Sequence, residues 1–343
     1  MSRSAKNPDF LHGVNLGGWL VLERWITPSL FEGTDAHDEY SFMQTEGSTK
    51  KLRDHQKTFI TEADFRWMRD NGINAVRIPV GYWVLRGDGP LRSAIGRLDW
   101  AVRMAEKYDI RVLVCLHGAP GSQNGHDHSG KAGAVGWFDS VEYRQQTVDI
   151  LRELAERYSQ TQAVWGIELL NEPQVKLWHK TLREFYKKAY REICGVGRKG
   201  LAVVYSDAFM PRMFSGALQP HPDFPLYMDH HWYHFFIPAW IQPHLKLEWY
   251  YRYLRYKGVL FERLGRAQPV IIGEWSAVIG GERIRTYPKE IHEQLMDQHV
   301  AVQLEAFRSL AGWFYWSYKH EHGGIFNFKD MVDSGRIKNF RRQ

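Results

Sequence analysis

Eight short, strongly apolar runs recur along this sequence, and longer stretches of mixed polar and apolar residues lie between them. In stretches such as SVEYRQQTVDILRELAERY the apolar residues recur at three- and four-residue spacing, which is typical of one buried helix face. Apolar strands that alternate with amphipathic helices predict a parallel sheet covered by helices. Eight such units predict an α/β fold, the closed (β/α)8 or TIM barrel, with a doubly wound sheet as the alternative. The runs centre near Val14, Ile78, Leu113, Ile167, Val204, Tyr227, Ile271 and Phe314.

The domain organisation predicted from the sequence is simple. No internal repeat, low-complexity segment or Pro/Ser-rich linker interrupts the chain, so we expect a single domain over residues 1–343. Two long segments, 27–61 and 118–138, are expected to be extended βα loops at the C-terminal face of the barrel. Active sites of such barrels are built at that face, so the polar residues that end the eight runs are the first candidates for chemistry.

The composition excludes several classes of protein. Hydrophobic residues make up 44% of the chain, which is enough to build a large core and excludes disorder. The net charge is +6, from 45 Lys+Arg and 39 Asp+Glu. Because the basic residues mostly lie among acids at helical spacing, we interpret them as solvated helix faces and expect no nucleic-acid partner. No run approaches the roughly 18 consecutive apolar residues of a membrane helix, so no membrane span is expected.

Three further features bear on location and ligand. The N-terminal segment MSRSAKNPDFLHG lacks the apolar core of a secretory signal, which predicts a cytoplasmic protein, or a secreted one whose signal peptide is absent from this chain. Cys115 and Cys194 are too few for a disulfide scaffold. Aromatic residues reach 14% of the chain, a content typical of a concave surface that grips flat faces such as sugar rings.

Polar side chains occur at the ends of the predicted strands. A single one is usually a helix cap or an ion-pair partner. Because the carboxyl ends of successive parallel strands meet at one end of a barrel, we expect these side chains to form one site. They are Arg77, His117, Asn171, Glu172, Asp207, His231, Tyr233, Glu274 and Trp316.

Glu172 and Glu274 suggest the reaction. Both follow apolar runs, GIELLNEP and VIIGEW, where burial and neighbours shift the pKa of a carboxyl group. Two carboxyls across a barrel mouth suit the acid-catalysed cleavage of an acetal, in which one protonates the leaving oxygen and the other faces the anomeric carbon. A separation of about 5 Å retains the configuration and one of about 6.5–9.5 Å inverts it, so the residues alone leave both outcomes open.

The other strand-end residues fit the same chemistry. Arg77 and Tyr233 are expected to keep Glu274 ionised, and Asn171 to bond a sugar 2-hydroxyl. His117 and His231 are expected to be neutral donors to hydroxyls or carboxyls, and Trp316 a flat floor for the sugar. Clustered histidines in HDHSG and DHHWYH have no spacing that fixes a metal site, so we expect no metal ion and no cofactor. Trp137, Trp232, Trp240 and Trp275 suit either sugar platforms or loop packing.

The motifs VRIPV, LHG, LNEP, HHWY, GEW and the Trp segment of the eighth run occur together in this order over nearly the whole chain. In this the sequence resembles glycoside hydrolase family 5, whose members are retaining (β/α)8 glycosidases. The resemblance implies that Glu172 is the acid/base and Glu274 the nucleophile. The remaining residues of the implied site are Arg77, His117, Asn171, His231, Tyr233 and Trp316.

The segments HGVNLGGWLVLERWITPSLFEG and LHGAPGSQNGHDHSG are similar to signatures of the exo-β-1,3-glucanase subfamily known from yeasts. That resemblance implies that Glu23 and Asp127 close the pocket beyond the terminal glucose, so that single glucose units are released from the non-reducing end of a β-1,3-glucan or a related β-glucoside. Phe236 matches one of two Phe residues that clamp the sugar at the pocket mouth, whereas His126 occupies the position of the other.

Other functions remain open at this point. The chain is also compatible with an endo-β-glucanase, or with a β-glucosidase or transglycosylase that acts on lipid, sterol or other β-glucosides. The alternative outside catalysis is a carbohydrate-binding protein on a barrel that has lost its activity.

Overall fold

The computed structural model describes residues 10–174, 179–233, 247–279, 288–338 and 340. Eight strands pair in chain order, each parallel to its neighbours, and the first pairs with the last to close a barrel. The predicted barrel is therefore confirmed, and the doubly wound alternative is wrong because a closed ring has no edge strands. The strands are β1 (Leu11–Asn15), β2 (Ala75–Gly81), β3 (Arg111–Gly118), β4 (Val164–Glu168), β5 (Ala202–Ser206), β6 (Leu226–Trp232), β7 (Val270–Trp275) and β8 (Gly312–Tyr315).

Helices lie between the strands. Ser140 caps one of them by accepting a hydrogen bond from the backbone N–H of Tyr143 at 3.1 Å, and its Oγ satisfies one of the unpaired donors of the first turn. The described helices are α1 (Glu39–Phe42), α2 (Ser48–Thr58), α3 (Glu62–Asp70), α4 (Ile95–Lys107), α5 (Val141–Arg157), α6 (His179–Val196), α7 (Pro211–Phe214), α8 (Leu247–Gly265), α9 (Lys289–Phe307) and α10 (Phe328–Asp333).

The two segments predicted as extended loops differ in content. Segment 118–138 has only a short 3-10 turn, Asp127–Ser129, among its described elements. Segment 27–61 contains α1 and α2, which the sequence pattern did not reveal. The reason is that α2 reads STKKLRDHQKT and offers a single large apolar residue, Leu52, to the buried side. Such a helix lacks the apolar periodicity by which amphipathic helices are recognised.

The strands place their side chains in layers because successive residues point to opposite faces of a sheet. Toward the start of the strands, a separate apolar cluster inside the ring includes Leu11, Ala75, Leu113, Ile271 and Phe314. Positions two residues further along face the same interior but are polar or small. They are Arg77, Cys115, Glu168, Asp229 and Gly273. On β1 the same alternation runs from Leu11 through Gly13 to Asn15, which is the polar residue of this layer. The apolar layer thus supports a polar layer directly beneath the mouth of the barrel.

Strand β7 carries an irregularity that aims one side chain. His230 pairs with Ile272 and His231 with Glu274, so that Gly273 is an extra residue between the two pairs. A bulge of this kind re-aims the side chain that follows it, here Glu274. A Cβ atom on Gly273 would lie 2.1 Å from Oδ2 of Asp229, so the position admits only glycine without rearrangement.

Candidate active site

A cavity of about 830 Å³ lies at the mouth of the barrel, where the strand ends and the βα loops meet. Eight of the eleven sequence-predicted residues line it, and Arg77 lies beneath its floor. The eight are Glu23, His117, Asn171, Glu172, His231, Tyr233, Glu274 and Trp316. The strand ends thus bring these residues to one cavity, whereas Asp207, also predicted from a strand end, is not among its lining residues. The roles of the eight stay predictions.

Glu172 and Glu274 face each other across this cavity. One oxygen of each carboxyl group and one ring nitrogen of His231 all lie within 4.8 Å of one another. The three side chains come from the ends of three different strands, β4, β6 and β7, and are brought together only by closure of the ring. Because they are so close, the three groups titrate together.

Arg77 holds one of the two carboxyls from below. Its Nη1 donates to Oε1 of Glu274 at 2.9 Å, and the Tyr233 hydroxyl donates to Oε2 at 2.9 Å. The contacts expected from the sequence are thus present. Burial nevertheless raises the pKa of Glu274 to about 7, although the charges of His231 and Arg77 lower it.

Arg77 is itself completely buried and needs counter-charges. Glu168 supplies one: its Oε2 accepts a hydrogen bond from Nε of Arg77 at 2.7 Å, and its Oε1 accepts one from Nη2 at 2.9 Å. Further bonds run from Nη1 to Asn15 at 2.9 Å and from Nη2 to Asn171 at 2.8 Å. These contacts fix the guanidinium plane and therefore the position from which it meets Glu274.

His231 differs from the sequence expectation. Its Nδ1 lies 2.6 Å from Oε1 of Glu172 and 3.5 Å from Oε2 of Glu274, and its Nε2 lies 3.2 Å from Oδ2 of Asp229. Burial alone lowers the pKa of an imidazole, but these three carboxylates raise the pKa of His231 well above its ordinary value. The expectation of a neutral donor was therefore wrong for His231, because the sequence did not reveal how many acids surround it.

The charge on His231 acts on the acid beside it. Burial raises the pKa of Glu172, but the His231 imidazolium outweighs burial and lowers that pKa to about 2. At neutral pH the proton shared by this pair therefore lies on the imidazole. Only the 2.6 Å hydrogen bond separates it from the carboxyl oxygen.

The loop that carries Glu172 is held by the β3 loop. Glu172 has a φ of 41°, a left-handed conformation that costs a non-glycine residue of the order of 1 kcal/mol or more. Nε2 of the buried Gln123 donates to the carbonyl of Asn171 at 2.9 Å, and Nδ2 of Asn124 donates to that of Glu172 at 3.2 Å. Neither residue was expected from the sequence, since their role depends on two loops being adjacent.

His117 and Trp316 form the floor on the other side of the cavity. Their rings stack with centroids 5.6 Å apart and planes 6° from parallel. Burial lowers the pKa of His117 well below its ordinary value, so this imidazole is neutral as expected. Its Nε2 lies 3.4 Å from Nδ2 of Asn171, whose side chain also faces the cavity.

Glu23 lies in the loop that follows β1 and is only 3% exposed. Its carboxyl group accepts hydrogen bonds from Nε1 of Trp25 at 3.0 Å and from the N–H of Gly18 at 3.3 Å. Burial and the nearby charge of Asp127 raise the pKa of Glu23 well above its ordinary value. Asp127 is half-buried in its 3-10 turn and is not among the cavity-lining residues.

The remaining expectations concern Phe236 and the four tryptophans that suited either sugar platforms or packing. Phe236 and Trp240 lie outside the described residues. Trp137, Trp232 and Trp275 are at most 1% exposed and pack in the core rather than line the cavity. The sugar-platform alternative is therefore wrong for these three.

Besides Gln123 and Asn124, two sets of residues were not predicted from the sequence. Glu168 and Asp229 are buried counter-charges, and a period-two count along β4 and β6 would have placed both inside the ring. The second set lies on α7, α8 and the loops beside them, and no strand-end rule finds it. Its cavity-lining members are Phe209, Pro211, Tyr253, Tyr256, Lys257, Leu260 and Phe261.

Two groups of acids and histidine have the proximity that a metal ion needs: Glu168 with Asp229 and His231, and Glu172 with His231 and Glu274. In both, the carboxylates already contact a cation, either Arg77 or the His231 imidazolium. We therefore assign no metal to them. Among the described residues, no helix is both long enough and apolar enough to cross a membrane.

Known proteins provide an independent comparison. The family model described as cellulase (glycosyl hydrolase family 5) matches residues 35–322. A glucan 1,3-beta-glucosidase of Pichia angusta is 40% identical over 66% of this chain, and the aligned part is 56% of that protein's length. A probable glucan 1,3-beta-glucosidase A of Aspergillus fumigatus is 34% identical over 95% of this chain and 86% of the relative.

Solved structures resemble this fold over nearly the whole chain. Rutinosidase from Aspergillus niger superimposes with a TM-score of 0.75 at 22% identity, covering 95% of this chain and 97% of that structure. Endoglucanase Cel5A of Thermotoga maritima superimposes with a TM-score of 0.59 at 16% identity, covering 97% and 95% respectively. At these identities the likeness extends to the fold alone.

Proposed function

Because the chain belongs to glycosyl hydrolase family 5 and is a glycosidase, we propose that it releases glucose from the non-reducing end of a β-1,3-glucan or a related β-glucoside with retention of configuration. The observation that carries the proposal is the pair of carboxyl groups, Glu172 and Glu274, with oxygens within 4.8 Å of each other in one cavity. Carboxyls about 5 Å apart leave no room for a water between the acid and the anomeric carbon, so the second carboxylate attacks directly.

Glu274 is the nucleophile in this proposal. Its carboxylate forms a bond to the anomeric carbon as the bond to the leaving oxygen breaks. Hydrogen bonds from Arg77 and Tyr233, each 2.9 Å long, orient the carboxylate and leave it in place for the attack. A pKa of about 7 keeps about half of it ionised at neutral pH.

Glu172 supplies and recovers the proton. Transfer from Nδ1 of His231 along the 2.6 Å hydrogen bond gives a neutral Glu172, which protonates the leaving oxygen. In the second step the Glu172 carboxylate takes a proton from water, whose oxygen attacks the anomeric carbon and displaces Glu274. One glycosidic bond and one water molecule are thus converted into glucose and a free alcohol.

Release of single glucose units is supported by the wall beyond the reacting bond. Glu23 presents a buried carboxyl on the β1 side of the cavity, with Trp25 and Trp316 beside it. A carboxyl group that accepts hydrogen bonds from the outer hydroxyls of a terminal glucose occupies the space that a further unit needs. The relatives named glucan 1,3-beta-glucosidase support the choice of the 1,3-linkage.

The test of the mechanism uses Glu274→Ala, with Glu290→Ala on the exposed start of α9 as the matched control. We expect Glu274→Ala to lose hydrolysis of an aryl β-glucoside and the control to keep it. Added azide then occupies the space of the missing carboxylate and gives the α-glucosyl azide. Full activity of Glu274→Ala, or a β-configured azide product, contradicts the assignment.

The substrate is tested with glucose oligomers linked β-1,3, β-1,4 and β-1,6, with products followed over time. The proposal expects fastest cleavage of the β-1,3 series, with glucose as the sole early product. Early mixed oligomers indicate endo cleavage instead, and products longer than the starting oligomer indicate transglycosylation.

A further inference from the structure

The two sides of the cavity present different ionisable groups, an acid on one side and a base on the other. On the β1 side lies the carboxyl group of Glu23, and Asp127 is close enough to act on it electrostatically. On the opposite side of the ring, α8 contributes the ammonium group of Lys257. The Glu172–Glu274 pair lies between them. The terminal sugar and the group that leaves it therefore meet different electrostatic environments.

Lys257 forms no ion pair with any residue that the structure describes. Its Nζ lies over the ring of Trp232, 4.2 Å from the centroid, and 5.8 Å from that of Phe261. In the described part of the chain, no carboxylate oxygen forms an ion pair with it. Burial lowers the pKa of Lys257 to about 8, although the charge of Asp207 opposes this. A partly desolvated ammonium group gains more from an incoming anion than a fully hydrated one does.

Asp207, whose charge acts on Lys257, already has hydrogen-bond partners. Oδ2 of Asp207 lies 2.6 Å from Nδ1 of His230, and Oδ1 accepts the backbone N–H of Phe209 at 2.8 Å. Because the carboxylate accepts the proton of Nδ1, Nε2 of the neutral ring is left as an acceptor. Nε2 is buried and has no hydrogen-bond partner among the described residues, although His230 lines the cavity. This side of the cavity therefore holds two unpaired polar groups, a cation and an acceptor.

Flat aromatic surface surrounds these two groups. Phe209 is 57% exposed, and its ring meets that of His231 edge to face at 6.3 Å, directly beside Glu172. Tyr253 and Tyr256, on the same wall of the cavity, are 51% and 59% exposed. Exposed rings that line a cavity offer a stacking surface for a planar ligand. Phe209 connects this surface to the proposed acid, since the His231 ring that it contacts is hydrogen-bonded to Glu172.

We propose that this side of the cavity selects a planar aryl leaving group that carries a carboxylate, with Lys257 as the counter-ion of that carboxylate. The inference rests on the proposed glucosidase function and adds the chemical class of the leaving group. The opposite side presents the carboxyl group of Glu23, and Lys257 is the one lysine or arginine among the described residues that line the cavity. Among aryl β-glucosides the favoured substrates are thus those of hydroxybenzoate type, in which a neutral sugar and an acidic ring occupy different sides of the cavity.

The experiment compares 4-carboxyphenyl β-D-glucoside with 4-carbamoylphenyl β-D-glucoside, which has the same shape and no charge. The readout is the ratio of their kcat/KM values in the wild type, in Lys257→Met and in Lys257→Arg. The matched control is Lys187→Met, which removes an exposed lysine on α6. A charged hydrogen bond stabilises by roughly 1.5–3 kcal/mol, so we expect a ratio of about tenfold or more in the wild type. The ratio should fall to about one in Lys257→Met and recover in Lys257→Arg.

A binding measurement separates this inference from the proposed function. The dissociation constants of both glucosides are measured calorimetrically with Glu274→Gln, alone and combined with Lys257→Met. Tighter binding of the carboxylate that depends on Lys257 supports the inference whether or not the wild type hydrolyses either compound. A ratio near one in the wild type, or a ratio that Lys257→Met leaves unchanged, overturns it. Loss of turnover for both compounds counts against the proposed hydrolysis alone.

Discussion

Replacing Gln123 by leucine tests how the strained loop of Glu172 is held in place. Gln123 is completely buried, and its side chain forms three hydrogen bonds to the backbone of two adjacent loops. Its Oε1 accepts the N–H of Ala119 at 3.0 Å, and its Nε2 donates to the carbonyls of His117 at 2.8 Å and Asn171 at 2.9 Å. Leucine fills a similar volume and forms none of these bonds, so the change isolates the hydrogen bonds from a packing defect.

The expected loss of stability follows from the number of hydrogen bonds removed. Three lost hydrogen bonds at about 1 kcal/mol each destabilise the fold by about 3 kcal/mol. For a chain of this size that corresponds to a fall in Tm of roughly 4 °C. Activity should fall further than stability suggests, because a displacement of about 1 Å of a reacting group costs about 100-fold in rate. We expect kcat to fall by about 10- to 100-fold, with a smaller change in KM.

The assay pairs thermal unfolding with steady-state kinetics on an aryl β-glucoside at a temperature well below the lower Tm. Gln146→Leu, on the exposed face of α5, is the matched control and should change neither quantity. Asn124→Ala removes the 3.2 Å bond to the carbonyl of Glu172 and the 3.0 Å bond that Oδ1 accepts from the N–H of His126, and gives a milder version of the same test. If Gln123→Leu lowers Tm but leaves kcat unchanged, the loop does not depend on Gln123 and the reasoning is refuted.

Three further predictions concern other parts of the molecule. Tyr233→Phe removes the 2.9 Å hydrogen bond to Glu274 and should lower kcat/KM about 10- to 100-fold. The far-ultraviolet circular dichroism spectrum should not change. A wild-type rate would show that the hydroxyl is dispensable. Glu23→Ala should lower kcat/KM for an aryl β-glucoside much more than for the β-xyloside, which lacks the 6-hydroxymethyl group; equal losses would exclude a contact to that group. Burial lowers the pKa of His299 to about 3, below its value of about 6.5 in the unfolded chain, so the unfolded state binds more protons as the pH falls. The free energy of unfolding should therefore decrease by about 3 kcal/mol between pH 6.5 and 4 through this group. His299→Leu should show a shallower decrease of Tm over that range, and parallel curves would contradict the assignment.

The local pattern of the sequence determined the architecture. Short apolar runs and amphipathic stretches are properties of contiguous residues, and eight alternations leave a closed barrel as the main solution. The same logic brought Glu172 and Glu274 together, because both follow an apolar run and strand ends of a parallel barrel converge. The order of the motifs along the chain then indicated the family and, with it, Glu23.

The tertiary structure decided what surrounds those residues. The neutral state expected of His231 was wrong because Asp229, Glu172 and Glu274 reach it from positions up to 59 residues away in sequence. Glu168 contacts Arg77 across 91 positions, and the bulge at Gly273 re-aims Glu274 by one residue. Which side of a strand faces the interior, and which loops touch, depends on ring closure and strand register. Ring closure and register are set by all strand pairings together and by no single segment. The charge state of His231, the hydrogen bonds around Arg77 and the position of Lys257 at the cavity therefore emerge only from the folded chain.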